Sequence, residues 1–508
     1  MPNERIYIEL KDKLWELNDR LIARIKPIGP IPARGVADRL CQKLSIQLSQ
    51  SMAEISHLKL ENESEINLPI VNWNLRKHTL TISNKNILIQ SAKFVIIWFQ
   101  VLLRGILFSS HTNSRKQTSL IYGIGQKWVA ADNNYGGFIS WAKEGPVKEV
   151  TNREQLVMSC FEKENEINIQ EKGMELVISL NPLYQIPRIV GMRISERILF
   201  LFKHLKNFTS FINAAIREPI LWTIPRDFCE LALIEVLDQK NAFDNISFTQ
   251  GNMGEVPVWA YYLPNKKHET HMFWYSTNGK FHRKDPELGE CYDPFWFFNY
   301  VDRHWVWCAE EKDWIKGIIK EDLHDKIQYS VCKPIVFANI QTDFDFIPYD
   351  KNNIVLFDLP PRILDPRQIY FNRYNNFEMI EKFLNDITQS AEDVYKETGN
   401  KLKIFLKTKK EISSYQEKRY QPFIEKFKKE GIIEIVPFNI SVLNLIQNCE
   451  VTIAVPYSAP CQIALQLGRT GVHYDPTGEL VRSELESKEI NFIQNQETLT
   501  DFFLNHYK

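Results

Sequence analysis

Beyond residue 350, short apolar runs rich in β-branched residues alternate with stretches whose apolar positions recur every three or four residues. The run NIVLF (Asn353–Phe357) opens the series and ends in Asp358-Leu359-Pro360-Pro361. Phe377 to Thr398 has the spacing of an amphipathic helix and stops at Gly399. There follow a strand (KLKIFLK), a helix (YQPFIEKFKKEG), a strand (IIEIVP), a helix (SVLNLIQNC), a strand (VTIAVP), a helix (PCQIALQLG) and a strand (GVHYD). A strand–helix pair from Ile490 to Tyr507 closes the series. Strands that alternate with helices predict a parallel sheet covered on both faces, so residues 346–508 read as a Rossmann-like domain.

The earlier chain is less regular. Residues 1–70 read as a helical amino-terminal region, interrupted by the turn-forming stretch Pro27–Pro32. Residues 71–345 mix helical and strand patterns, with apolar runs such as SLIYGIG, MELVISL and HMFWYS, and read as a second α/β domain. The predicted fold class is α/β: two Rossmann-like domains facing across a cleft, with an amino-terminal helical extension. Ala92–Phe108 is apolar enough to invite a membrane reading, but Gln100 and Arg104 lie inside it. A buried helix is the plainer reading, and an interfacial helix on a membrane surface is the sharper one.

Charge and cysteine usage narrow the function classes. A chain of 508 residues with a formal net charge of −1 offers no excess of cations to follow a nucleic-acid backbone, so no nucleic-acid partner is expected. The eight cysteines form no C-x-x-C pair, which fits reduced thiols in a cytoplasm better than a disulfide framework. The first residues, MPNERIYIELKDKLWEL, have no apolar core region and do not read as a signal peptide. A cytoplasmic location is expected, with peripheral contact at the inner face of a bacterial inner membrane through 92–108 as the alternative. His268 with His271, and His304 with Cys308, belong to no metal-binding pattern, so no metal is expected. Tyr122-Gly123-Ile124-Gly125 lacks the third glycine of a dinucleotide fingerprint, and no cofactor is expected.

Ligands of open parallel sheets bind beyond the carboxyl ends of the strands. There VTIAVP runs into Pro456-Tyr457-Ser458-Ala459-Pro460 and then into a helix ending at Gly468. The amide groups and dipole at that helix start suit a phosphate, with Ser458 adding a hydroxyl; Ser458 acting only as a helix cap is the alternative. The next strand end brings Tyr474, Asp475, Thr477 and Gly478 to the same rim, where an ordinary Asp-Pro turn is the alternative for Asp475. Lys407 and Lys409, with Lys410 beyond them, end another strand, and cations there can neutralise a leaving phosphate or be merely solvated. An aromatic segment between His271 and Trp314 includes Trp274 and Tyr275 beside Ser276, Asn278 and His282. It suits the faces and hydroxyls of a sugar, although some of these rings must form core.

These segments resemble a bacterial family of polysaccharide biosynthesis proteins named for a Pro-Phe-Thr-Ser motif. The runs that carry the resemblance are Tyr122–Pro146, Phe273–Gly279 with Val301–Trp307, and Cys449–Gly478. Pro456, Tyr457 and Ser458 match the naming motif conservatively, and Ala459 replaces its last serine. The resemblance implies surface-carbohydrate synthesis by a metal-independent glycosyltransferase of the GT-B kind. A nucleotide-activated sugar would be the donor, and a glycan or lipid-linked oligosaccharide the acceptor. Paired hydroxyls at a helix start also resemble the phosphate site of sialyl- and Kdo-transferases, which implies a CMP-linked keto-acid sugar as one donor class. Asp132, in a polar loop of the first run, is the expected catalytic base, with Glu144, Asp285 and Asp302 as rivals. Two other functions stay open: a nucleotide-sugar epimerase or hydrolase, and a non-catalytic glycan- or nucleotide-binding partner of an assembly complex.

Overall fold

The architecture was taken from a computed structural model. It describes residues 14–43, 73–75, 78–80, 84–107, 118–124, 156–160, 175–178, 192–249, 256–263, 265–274, 297–319, 321–332, 347–358, 361, 376–408, 417–437, 440–478, 480–482 and 487–507.

The amino-terminal half opens with helices α1 (residues 14–24) and α2 (residues 33–43). A short hairpin, β1 (Trp73–Leu75) and β2 (His78–Leu80), precedes the long helix α3 (Asn84–Leu107). Strands β3 (Thr118–Ile124), β4 (Leu156–Cys160) and β5 (Glu175–Ile178) follow, then helices α4 (Ile194–Arg217) and α5 (Pro225–Gln239). The half ends with β6 (Phe243–Thr249), α6 (Val258–Tyr262), β7 (Glu269–Phe273), β8 (Arg303–Val306), α7 (Ala309–Ile318) and β9 (Gln328–Val331). Strands β3 to β9 form one sheet in the order β5-β4-β3-β6-β7-β8-β9, with every adjacent pair parallel.

The carboxyl-terminal half contains β10 (Asp350–Phe357), α8 (Phe377–Thr398), β11 (Lys403–Lys407), α9 (Tyr420–Lys429), β12 (Ile433–Val436) and α10 (Val442–Gln447). It continues with β13 (Cys449–Ala454), α11 (Ala459–Gln466), β14 (Thr470–Tyr474), β15 (Asn491–Ile493) and α12 (Gln496–Tyr507). The strand order is β12-β11-β10-β13-β14-β15, again parallel throughout. Both sheets therefore run third–second–first–fourth–fifth–sixth, the doubly wound order of dinucleotide-binding folds, and the amino-terminal sheet adds β9 as a seventh strand beyond the sixth. Two Rossmann-like sheets in one chain bear out the predicted α/β class. The predicted stop of α8 is also present: Gly399 takes φ 74° and its N–H bonds back to the Tyr395 carbonyl.

Alternation along the strands sets the layers of the carboxyl-terminal half. Ile354, Leu356, Leu406 and Ile453 pack on one face with α8, α9 and α12. Val355, Phe357, Phe405 and Ala454 pack on the other with α10 and α11. The amino-terminal half has its own core, which includes Leu14, Leu17 and Leu40 of the first two helices. Those helices are not an appendage. Asn18 donates to Asp38 at 2.7 Å, Tyr262 donates to the same carboxylate, and Arg39 pairs with buried Asp227 at 2.8 Å. Helix α3 is neither wholly buried nor a membrane span. It presents one face to the core through Phe94, Ile97 and Val101 and the other to solvent. No helix among the described residues is long and apolar enough to cross a membrane.

Candidate nucleotide-binding site

The chain reverses its direction of sheet growth after β10: β11 adds on one side of it and β13 on the other. The carboxyl ends of β10 and β13 are thus the switch point, where open α/β sheets bind ligands. The register is level across this rim. Phe357 pairs with Lys407 of β11 and with Ala454 of β13, and Ala454 pairs with His473 of β14. One residue further on stand Asp358, Thr408 and Val455, the last leading into the turn 456–458.

That turn is built with strain. Pro456 cannot extend the ladder, and Tyr457 then takes a left-handed backbone, φ 63°. A tyrosine there costs roughly 1–2 kcal/mol and must be held by its surroundings. The Tyr457 ring lies 6.1 Å from His473 and 6.2 Å from Phe492, and its hydroxyl donates to the Val481 carbonyl. The Tyr457 N–H reaches His473 Nδ1 at 3.4 Å, and His473 Nε2 lies 3.3 Å from the Ser458 carbonyl. Nδ1 can accept only in the neutral tautomer that carries its proton on Nε2, which then donates to Ser458. The buried imidazole of His473 bridges both peptide groups of the turn.

Ser458 does not cap α11 with its side chain. Its hydroxyl turns back and donates to the Val455 carbonyl at 2.7 Å, and the helix has no side-chain cap hydrogen bond. Ser458, Ala459 and Pro460 are half-buried, with Pro460 in the first turn. The helix start therefore combines backbone donors with a favourable dipole on half-buried residues. Beside it, Asp475 is buried and accepts from Thr477 N (3.0 Å), Thr477 Oγ1 (2.7 Å) and Leu480 N (2.9 Å). Its carboxylate thus fixes the loop that carries Thr477 and Gly478, and Gly478 adopts φ 64°.

Lys407 is 3% exposed. Burial pushes its ammonium down to about 8, against the pull of the Asp358 carboxylate. Asp358 is itself buried and accepts the hydroxyl of Tyr420. A lysine held in such surroundings is a recurrent mark of a functional site.

The other sequence candidates fall in different places. The Tyr474 backbone ends β14 at the rim, but its side chain is buried and its hydroxyl donates to Asp386 at 2.5 Å. Trp274 is 2% exposed, packs edge-on against Trp314 at 5.6 Å, and donates its indole N–H to His304 at 3.0 Å, all within the core. Asp302 sits at the amino ends of β7 and β8, where it accepts from Thr270 N at 2.7 Å, from Thr270 Oγ1 at 2.6 Å and from Lys266. That is the sheet edge opposite the one where ligands bind. Asp132, Glu144, Tyr275, Ser276, Asn278, His282, Asp285 and Lys409 lie outside the described residues. Among the described residues no group of three His, Cys, Asp or Glu is placed to hold a metal. His268 instead pairs with Asp238 at 2.6 Å, and His271 with Glu269 at 3.0 Å. Sequence reasoning missed Asp358 and His473; the first was findable by applying the strand-end rule to β10 as well.

No curated protein matches the chain by sequence. Among solved structures it resembles the UDP-GlcNAc 2-epimerase of Methanocaldococcus jannaschii, at 13% identity and TM-score 0.42, over 76% of this chain and 91% of that one. The wall teichoic acid polymerase TagF aligns at 11% identity and TM-score 0.39, over 83% and 89%. A glycosyltransferase of Rickettsia africae aligns at 10% identity and TM-score 0.38, over 78% and 89%. These alignments are loose, and the fold assignment rests on the strand order above. Residues 210–503, more than half of the chain, match the family described as polysaccharide biosynthesis PFTS motif protein, and the chain belongs to that family.

Proposed function

We propose that the protein is a glycosyltransferase of polysaccharide biosynthesis that takes its sugar from a nucleotide-activated donor. The observation that carries this reading is the switch point itself. A strained turn, a helix start without a side-chain cap and a buried lysine converge where a doubly wound sheet binds a nucleotide. In this reading the donor phosphate rests on the amide groups at the start of α11, beside Tyr457, Ser458 and Ala459. Thr477 and Gly478 border the nucleoside, and Lys407 faces the phosphate charge.

The reaction needs a nucleophile and a leaving group. The acceptor hydroxyl attacks the anomeric carbon and its proton passes to a carboxylate, for which Asp132 is the candidate. The bond from the anomeric carbon to the donor phosphate breaks, and the negative charge that develops on the phosphate is stabilised by Lys407 and the helix dipole. The acceptor is a glycan or a lipid-linked oligosaccharide held by the amino-terminal half, with Tyr275, Ser276, Asn278 and His282 as candidate contacts. A CMP-linked keto-acid sugar is the donor class that the resemblance to sialyl- and Kdo-transferases implies.

Thermal shift with CMP, UDP and GDP tests the site. A nucleotide at about a hundred times its Kd should add about 2.7 kcal/mol to the stability of the native state. No shift with any of them would remove the nucleotide site. Incubating a bound donor without acceptor then separates the activities, because an epimerase or hydrolase would turn it over and a transferase would leave it largely intact. Asp132→Asn should abolish transfer while leaving the nucleotide shift in place, and wild-type transfer would remove Asp132 from its role.

A further inference from the structure

Helices α3 and α4 lie antiparallel against each other. Trp98 stacks on His204 at 4.6 Å, Phe94 on Phe208 at 5.5 Å, and Arg197 donates to the Ile106 carbonyl at 3.1 Å. Their inner faces close the amino-terminal core through Phe94, Val101, Phe200 and Phe211. Where the helices meet most closely there is no room for a side chain, since a Cβ on Gly105 would sit 2.2 Å from the Phe200 ring.

Their outer faces are also apolar. On α3, Leu88, Ile96, Phe99 and Leu103 are exposed and follow a helical spacing along one side. On α4, Ile198, Phe202, Leu205 and Ile216 do the same, Phe202 at 69% and Ile216 at 71% exposure. Single exposed apolar residues are ordinary, but two adjacent helices that share such a face mark a docking surface.

Charge identifies the occupant. The two helices carry seven lysines and arginines, of which Lys203 is paired with Glu235 of α5, and one carboxylate, Glu196, which is bound to Lys240 at 2.7 Å. The chain as a whole has a formal net charge of −1, so this pair of helices is a basic island. Lys93, Lys206 and Arg217 are exposed beside the apolar side chains. Apolar residues flanked by cations match the boundary between acyl chains and anionic headgroups. A second copy of the same face would instead set like charges against each other.

We infer that α3 and α4 together form a membrane-docking face that lies in the headgroup layer of an anionic bilayer without crossing it. The inference does not depend on the transferase reading. It extends a docking segment visible in the sequence only at 92–108 to a second helix, Ile194–Arg217.

The experiment is flotation of the full-length protein with phosphatidylglycerol–phosphatidylethanolamine vesicles and, separately, with phosphatidylcholine vesicles. The protein should float with the anionic vesicles, float poorly with the neutral ones, and be released by high salt. The paired change Phe99→Ser with Phe202→Ser should weaken binding by at least about tenfold. Lys93→Glu with Lys206→Glu should do so by a similar factor and remove most of the salt dependence. Protein that stays at the bottom with both vesicle types overturns the inference, as do variants that float like wild type. So does a concentration-dependent dimer that the phenylalanine variant dissolves, since a second copy would then be the occupant. The comparison of vesicle compositions needs no variant, so a misfolded mutant cannot hide the answer.

Discussion

Lys407→Met removes the buried ammonium at the rim while keeping the length and most of the apolar stem of the side chain. The lysine is held at about 8 against an ordinary 10.5, and each tenfold is worth 1.36 kcal/mol, so keeping it charged in the fold costs about 3 kcal/mol. Asp358 works the other way, but the displacement is downwards, so burial outweighs its attraction. The sign follows from linkage. Between pH 8 and 10.5 the unfolded chain binds a proton that the folded chain has released, so stability should rise with pH across that window. Below pH 8 the full cost is present. Lys407→Met should therefore stabilise the carboxyl-terminal half at pH 7 by about 1–3 kcal/mol, the lower figure allowing for the counter-charge lost by Asp358. It should also flatten the rise in stability above pH 8. If the ammonium is kept for a phosphate, the same change should weaken nucleotide binding by about tenfold or more. Urea unfolding followed by circular dichroism at pH 7 and pH 9.5, with nucleotide titrations alongside, measures both effects. A variant less stable than wild type at pH 7, or one that binds nucleotide equally well, refutes the reasoning.

Three further outcomes are expected. Asp475→Ala leaves two backbone N–H groups and the Thr477 hydroxyl without their carboxylate, and should cost about 3 kcal/mol in urea unfolding and reduce nucleotide affinity. His204 is buried, and burial lowers its imidazole to about 4; stability should fall by about 3 kcal/mol as pH drops from 6.5 to 4, because only the unfolded chain takes up that proton. His204→Phe should remove that slope in acid titrations of stability. Gly471→Ala places a Cβ 2.8 Å from the Cys461 carbonyl, which should push α11 off β14, cost about 1–3 kcal/mol in thermal melts and weaken nucleotide binding.

The carboxyl-terminal half was legible because its apolar runs and helical stretches alternate cleanly, and every strand and helix read there from sequence is present. The amino-terminal sheet was harder to read because some of its buried strands carry polar residues. β6 buries Asn245 and Ser247, and β8 buries His304, so neither follows the apolar pattern that marks a strand. The second apolar face of α4 was invisible for the opposite reason. Periodicity assigns apolar positions to a core, and Phe202 and Ile216 exceed what the core takes. At the site, strand ends located Lys407, Ser458 and Thr477, but side-chain direction lay beyond the sequence. Ser458 reads as a phosphate-site hydroxyl or a helix cap and instead turns to Val455, and Trp274 reads as a cleft ring and is packed inside. Asp358 follows the first apolar run directly, and the strand-end rule applied to β10 would have brought it to the crossover.

Helix α11 starts at the crossover turn and ends in a different attachment. At its last residue, Gln466 donates to the Trp307 carbonyl at 3.2 Å, and Trp307 belongs to the other half of the chain by sequence while packing in the core beneath α11. Trp307 is pinned in turn, its indole N–H on the Trp274 carbonyl at 2.6 Å and its backbone N–H on Glu311 at 2.8 Å. The helix is thus a short rigid lever with its tip at the turn and its heel on the opposite half. Any movement of the turn would have to be absorbed within α11 or at the Gln466–Trp307 contact, so one short helix ties the crossover to the other half.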